Sequence, residues 1–562
     1  MNSLLRSPLQ IRDDLAAVMK GALERHFGLV SPDVEVSRSR NLQLGDLASS
    51  SAMPLASTVK RPPREIASLM ADSVREMFPQ VERVTVDGPG FLNFTLSSDY
   101  LWQVVNRIAL HGMKDLMPVS GTGRRALVEF VSSNPTGPLT VGHCRQAVLG
   151  DAVSRLLEAT GWTVEREYYF NDAGRQMDRL AESLAARYMQ ILGYHKEIPE
   201  GGYKGDYIKD WAESLLEVRG RELNWPGDNH VFREYAAQRA FDLISDDLKL
   251  LGISFDRYFA ESELIPDGVQ RAVEKLRERG LVRADSHSDS KLWLKLTEMG
   301  RPEDRVIIRD NGTFTYRMPD IAYHLDKFHR GYDLLVDIFG SDHIDTCRDV
   351  EAALIAVLGS ETVENRLRTI LHQFVTLMRN GEKVKMSTRE GNFVTLRHLV
   401  EEVGSADVVR YIFLTRRAEA HMDFDLAAAA SDNEDNPVFY VQYAFARISG
   451  ILRNLPHGIG LSSVELSAVP EYEADARERD LLRLLETIPL RVHSAALALE
   501  PHRITELLAE TATAFHGFYQ HHRVIDPDNL PLTKARLIVC MAVKNTLNDL
   551  LNILGVRAPE KM

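Results

Sequence analysis

The segment that most restricts what this chain can fold into runs from residue 126 to residue 161. It begins with ALVEFVSS, a short run of β-formers, turns through NPTGPL, and continues as VGHCRQAVLGDAVSRLLEATG, whose apolar residues recur with a helical period. A strand, a tight loop and a long helix in that order are the opening unit of a nucleotide-binding α/β domain. The free N–H groups at such a helix start draw phosphate. Here that start carries Gly142, which leaves room for a close ligand, and His143, which can donate to a phosphate oxygen. Thr140 adds a hydroxyl one turn earlier on the same side.

With 562 residues the chain outgrows a single hydrophobic core, so about three domains are expected. The first, residues 1–116, reads as helix, helix and then a strand pair, VERVTVDG and FLNFTLSS, joined at Gly88-Pro89-Gly90, a small α+β unit. MPVSGTGRR is a linker. Residues 120–404 form the α/β domain, with an insertion at about 175–300 marked by polar loops such as PEGGYKGDY, and the sheet resumes with RVIIRD, LLVDIFG and FVTLM. From 405 to 562 the pattern is almost wholly helical and predicts an all-α bundle. The fold class is therefore multidomain α/β.

Cys144, Cys347 and Cys540 are far apart and form no CxxC pair, which argues against a disulfide framework or a structural zinc site. The N-terminus lacks a basic region followed by a long apolar run, and no later apolar run approaches the length of a membrane span. A soluble cytoplasmic protein is expected. The formal net charge of -13 opposes nucleic-acid binding taken over the whole surface, so any such partner must meet a local basic face.

A second candidate element, EKVKMSTREGNF, gathers Lys383, Lys385, Ser387 and Arg389 in a polar loop between strand-like runs. Cations on such a loop can meet the charge that develops on a pyrophosphate leaving group. Together with the helix-start site it completes a device for attack on the α-phosphate of ATP. The pair resembles the HIGH and KMSKS signatures of class I aminoacyl-tRNA synthetases, written here as Thr140-Val141-Gly142-His143 and Lys385-Met386-Ser387-Thr388-Arg389. A planar guanidinium substrate would need carboxylates. Glu129 ends the strand before the first signature, Asn134 follows five positions on, and Tyr316 and Asp320 stand four apart, on one helical face.

VEFVSSNPTGPL, TYRMPDIAYHLDKF, KMSTREGNFVTL, DNPVFYVQYAFAR and LGVRAPEKM resemble the arginyl-tRNA synthetases in order and spacing, over essentially the whole chain. The resemblance implies an N-terminal domain that touches the elbow of tRNA, a Rossmann catalytic domain and a helical anticodon-binding domain. It implies L-arginine, ATP with Mg2+ and tRNA(Arg) as substrates, no tightly bound protein metal, no DNA or membrane partner, and a monomer. Around arginine it sets Glu129, Ser132, Asn134, Tyr316, Asp320 and His343; around ATP, Asn134, Pro138, Thr140, Gly142, His143, Gly340, Asp342, Lys385, Met386, Ser387 and Arg389; on tRNA, Tyr443 and Arg447. The chain departs from the family pattern at Thr140 and Thr388, across His343 to Thr346, and at Phe445. Two other readings share these residues: a nucleotidyltransferase that adenylylates a small carboxylate without RNA, and a catalytically idle tRNA-binding paralogue.

Overall fold

The computed structural model describes residues 6–562 except 173, 289, 385–393, 432, 434–435, 457–458, 463–465 and 467. Near the N-terminus, helix Pro8–Phe27 opens on Ser7, whose hydroxyl accepts the Gln10 N–H at 3.3 Å, with Pro8 in the first turn where its missing donor costs nothing. Strands Val81–Asp87 and Phe91–Leu96 make the expected hairpin, against which helix Pro63–Met77 packs. Leu47–Ser49 and then Ser37–Arg38 extend it to a four-stranded antiparallel sheet. These added strands are two and three residues long, too short to show alternation in the sequence.

The next domain is built on β1 (Arg125–Glu129), α1 (Val141–Ala159), β2 (Thr163–Phe170), β3 (Arg257–Ala260), α2 (Arg317–His329), β4 (Leu334–Gly340), α3 (Ile344–Leu358) and β5 (Leu367–His372). All five strands are parallel, in the order β5-β4-β1-β2-β3. β1 is central and, past Arg125, buried throughout, as a strand covered on both faces must be. Because the chain leaves β1 towards β2 on one side and later places β4 on the other, a crevice opens at the carboxyl ends of β1 and β4. Helix α1 lies close over that end: a Cβ on Gly150 would come within 2.1 Å of Phe130.

Several sequence expectations need correction here. RVIIRD does not rejoin the parallel sheet; Arg305–Ile308 pairs antiparallel with Leu292–Leu294 in a separate sheet of three strands. FVTLM also stands outside it, since Val375–Arg379 pairs in parallel with Met422–Asp425, a strand that falls within the stretch expected to be helical. In their place the parallel sheet takes β3, four residues long and hidden within the expected insertion. Local β-propensity marks a strand but not its partner. The insertion's helices, Arg175–Ile191, Asp206–Arg219 and Asn229–Leu250, share a hydrophobic core of their own around Leu184, Trp211 and Phe232.

Beyond it come α4 (Ala406–Leu414), α5 (Pro437–Arg453), α6 (Ala476–Ala498), α7 (His502–His521) and α8 (Leu530–Leu554). Contrary to expectation, α8 has the length and apolar character of a membrane span, but 67 % of its most apolar window is buried, against helix Ser98–His111, α1, α5 and α7. Its apolarity is that of a helix packed on several sides within the protein. Buried Arg410 on α4 ties the end of α8 to α1: it donates to Leu554 O at 2.8 Å and Leu251 O at 2.8 Å, and pairs with Asp151 on α1.

Candidate active site

At the start of α1 the backbone N–H of Thr140 donates to Nδ1 of His143 at 3.2 Å. Nδ1 is therefore the bare acceptor of a neutral imidazole, and the proton sits on Nε2. Burial pushes the His143 pKa down, which keeps the ring neutral. The result is one N–H donor beside the helix-start amides, suited to a phosphate oxygen. Gly142 is exposed, and a Cβ there would touch only Thr140 Oγ1, at 3.7 Å. Protein packing does not demand a glycine at this point, so the space it leaves belongs to the crevice.

Lys385, Met386, Ser387, Thr388 and Arg389 lie outside the described residues. The chain just beyond them is anchored at α1: Val141 N donates to Val394 O at 3.3 Å, Thr140 bridges Thr395, and Leu396 N donates to Leu139 O at 2.7 Å. Residues 394–396, more than two hundred positions along the chain from the first signature, thus return to the start of α1. On the other side of the crevice Gly340 closes β4; Asp342 and His343 follow, exposed and 3.6 Å apart. Pro138 is half-buried in the loop before α1.

The expected arginine-binding residues do not all face the same space. Glu129 is 2 % exposed, with one oxygen accepting from Ser132 Oγ at 2.9 Å and the other held by Lys327 Nζ. Ser132 is placed by a left-handed turn at Val131 and Ser132, φ 68° and 40°, a conformation that non-glycine residues adopt only when their surroundings enforce it. Tyr316 caps α2 and is 77 % exposed, so it stands at the mouth, while Asp320 lies one turn further in. Asn134 Oδ1 accepts from Asn171 N at 3.0 Å and its Nδ2 donates to Gln176 at 2.7 Å, bracing the loop after β1.

Sequence reasoning missed the charges beneath Asp320. Lys327, fully buried, bridges Glu129 and Asp337, the latter at 2.6 Å. His324 Nε2 lies 2.9 Å from Asp337 Oδ2 and its Nδ1 donates to Asp320 O at 2.7 Å. Burial and Lys327 lower the His324 pKa, but the Asp337 carboxylate outweighs them and the net shift is upward. Two cations and two anions then cancel, leaving Asp320 as the surplus carboxylate. Burial raises its pKa to about 7, with Glu129 and Glu261 adding to the rise, and no described residue bonds to its side chain. Glu261, also missed, follows β3 and accepts from Tyr169 OH and Asn171 Nδ2, each at 2.7 Å. The available signal was the i, i+3 and i, i+4 spacing of Asp320, Tyr323, His324 and Lys327, which gathers them on one side of α2.

Asp320 and Glu261 are thus half-buried carboxylates to which, among the described residues, no cation is paired: an incomplete salt bridge. In the helical part, Tyr443 and Arg447 stack on α5, with the guanidinium 4.6 Å from the Tyr443 ring and 4.9 Å from that of Tyr519 on α7. Phe439 and His516 extend the stack at 6.2 and 6.0 Å. Phe445, on the same helix, is buried.

The parallel sheet, its crevice and the phosphate-binding helix start define a class I aminoacyl-tRNA synthetase catalytic domain. Residues 105–411 match the family model described as "tRNA synthetases class I (R), catalytic domain", residues 9–96 match "Arginyl tRNA synthetase N terminal domain", and 441–562 match "DALR anticodon binding domain". The chain is 43% identical over 525 residues to the arginine–tRNA ligase of Desulfotalea psychrophila, covering 92% of this chain and 93% of that one. It is 39% identical to arginine–tRNA ligase 1 of Halalkalibacterium halodurans over the full length of both. The arginyl-tRNA synthetase of Thermus thermophilus, 22% identical, shares the fold over 98% of this chain and 100% of that one, with a TM-score of 0.74. The chain belongs to the arginyl-tRNA synthetase family.

Proposed function

We propose that the crevice at the ends of β1 and β4 is where this enzyme attaches L-arginine to tRNA(Arg), first as arginyl-adenylate and then as the ester. The observation that carries the reading is the uncompensated carboxylate pocket around Asp320 and Glu261, opening beside the phosphate-binding start of α1. The guanidinium completes the charge of Asp320, with Glu261 as second acceptor and Tyr316 closing over the mouth. Glu129 acts from below, through Lys327 and Ser132, by setting the field and the turn that frame the pocket.

With the side chain held, the arginine carboxylate oxygen attacks the α-phosphorus of ATP; the bond to the β-phosphate oxygen breaks and pyrophosphate leaves. His143 Nε2–H and the α1 amides take up negative charge on the phosphate oxygens, Gly142 admits the nucleotide, and Lys385 and Arg389 meet the departing pyrophosphate. Mg2+ brought in with ATP would supply charge screening on the triphosphate there. In the second step a hydroxyl of the terminal tRNA ribose attacks the arginyl carbonyl and AMP leaves. Tyr443 and Arg447 offer anticodon-loop bases a stacking platform, and the N-terminal domain meets the tRNA elbow. The enzyme works as a monomer in the cytoplasm.

The test is arginine-dependent ATP–pyrophosphate exchange with and without tRNA(Arg). Exchange only with tRNA present, and none with neutral citrulline, supports the reading; exchange without arginine, or equal use of citrulline, refutes it.

A further inference from the structure

His372 is the last residue of β5 and is 7 % exposed. Its Nδ1 donates to the carbonyl of Gln373 at 3.3 Å, because a carbonyl can only accept. The other nitrogen, Nε2, is then a bare acceptor, and among the described residues it has no hydrogen-bond partner. Buried acceptors without partners are rare and costly, so this one calls for a donor. Burial lowers the ring's pKa to about 4, with Arg145 adding to the fall, so the ring is neutral near neutral pH.

The place of this acceptor in the fold indicates the donor. β5 neighbours β4 in parallel register, with His372 opposite Gly340, so both residues address the same face of the sheet. Asp342 and His143, both neighbours of His372, stand at the two sides of the crevice that receives ATP, at the end of β4 and at the start of α1. Gly340 contributes no side chain between the phosphate-binding helix start and His372. A nucleotide with its phosphates at α1 and its ribose over the end of β4 reaches β5 with its base. The base edge that must find a partner there carries the exocyclic amino group, a donor with no acceptor character.

We propose that His372 is an ATP-binding residue whose Nε2 accepts a hydrogen bond from the exocyclic amino group of adenine. The inference rests on the reading of the crevice as the ATP site and adds the base-recognition contact to it. None of the motifs singled out in the sequence includes this residue.

The experiment compares wild-type enzyme with His372→Leu and His372→Gln in arginine-dependent pyrophosphate exchange with tRNA(Arg), using ATP and purine riboside triphosphate, which lacks only the amino group. His372→Leu should raise the KM for ATP about tenfold while leaving the KM for arginine unchanged. With the deaminated nucleotide wild type and His372→Leu should be alike, and His372→Gln, which keeps an acceptor, should recover part of the loss with ATP alone. Equal losses on both nucleotides would mean that Nε2 serves a protein group or the ribose, and an unchanged KM for ATP would mean that it serves nothing; either overturns the proposal. If wild type itself showed no arginine-dependent exchange, the ATP-site reading would fall first, and this assignment with it. Thermal unfolding of each variant separates misfolding from a lost contact.

Discussion

Single residues carry the chemistry here because each was placed at a cost to the free protein. Burial lifts the pKa of Asp320 to about 7, yet a guanidinium needs it ionised. Arginine binding must therefore release a proton, and the KM for arginine should climb as pH falls from 8 to 6, whereas the KM for ATP should not. In Asp320→Asn that pH dependence should vanish along with most of the arginine affinity, a comparison read directly from exchange kinetics. The same shift has a sign for stability: between the ordinary carboxyl range and pH 7 the folded protein binds the extra proton, so without arginine its stability falls as pH rises, and saturating arginine should flatten that slope. Lys327→Met leaves Glu129 and Asp337 buried without their cation, and should cost about 3–5 kcal/mol in urea unfolding. Gly142→Ala is the opposite case. Its new methyl meets only Thr140 Oγ1, so the melting temperature should hold while kcat/KM for ATP drops about a hundredfold.

Elements set those residues in position. The helix α1 presents His143 at one end and, two turns on, is gripped by Arg410 through Asp151, so its start is fixed relative to β1 from both sides. The insertion acts on the loop before α1, where Tyr207 OH donates to Thr136 O at 2.9 Å and Leu139 N donates to Asp247 at 3.3 Å. Helix α8 acts as a shared core strip for the N-terminal helix Ser98–His111, α1 and α7. Leu551 on it is fully buried, so Leu551→Ala should cost about 2–5 kcal/mol, visible as a lower urea midpoint, without altering the KM for arginine. Such helices were plain in the sequence because a 3.6-residue period survives over many turns. Strands of two to four residues carry no period, which is why β3 and the edge of the N-terminal sheet were not legible.

At the scale of the whole molecule, recognition of a nucleic acid by a chain of net charge -13 has to be local, and the stack of Tyr443, Arg447, Tyr519 and His516 is the place proposed for it. Tyr443→Ala should raise the KM for tRNA about tenfold or more in aminoacylation and leave the KM values for ATP and arginine at saturating tRNA unchanged. What the sequence by itself determined was everything written locally: the strand, loop and helix at 126–161, the helical C-terminal third, and the motif residues His143, Asp320, Tyr443 and Arg447 whose spacing placed them on helices. Only the tertiary structure decided which strands pair, that Thr395 meets Thr140, and that Glu129 spends both oxygens on Lys327 and Ser132. It alone set Glu261 against Tyr169 and left the buried Nε2 of His372 without a partner among the described residues, in segments with no motif to mark them. The reason is physical. Periodicity and capping are properties of neighbours along the chain, whereas desolvation, charge compensation and the loneliness of a buried acceptor exist only once distant segments have excluded water together.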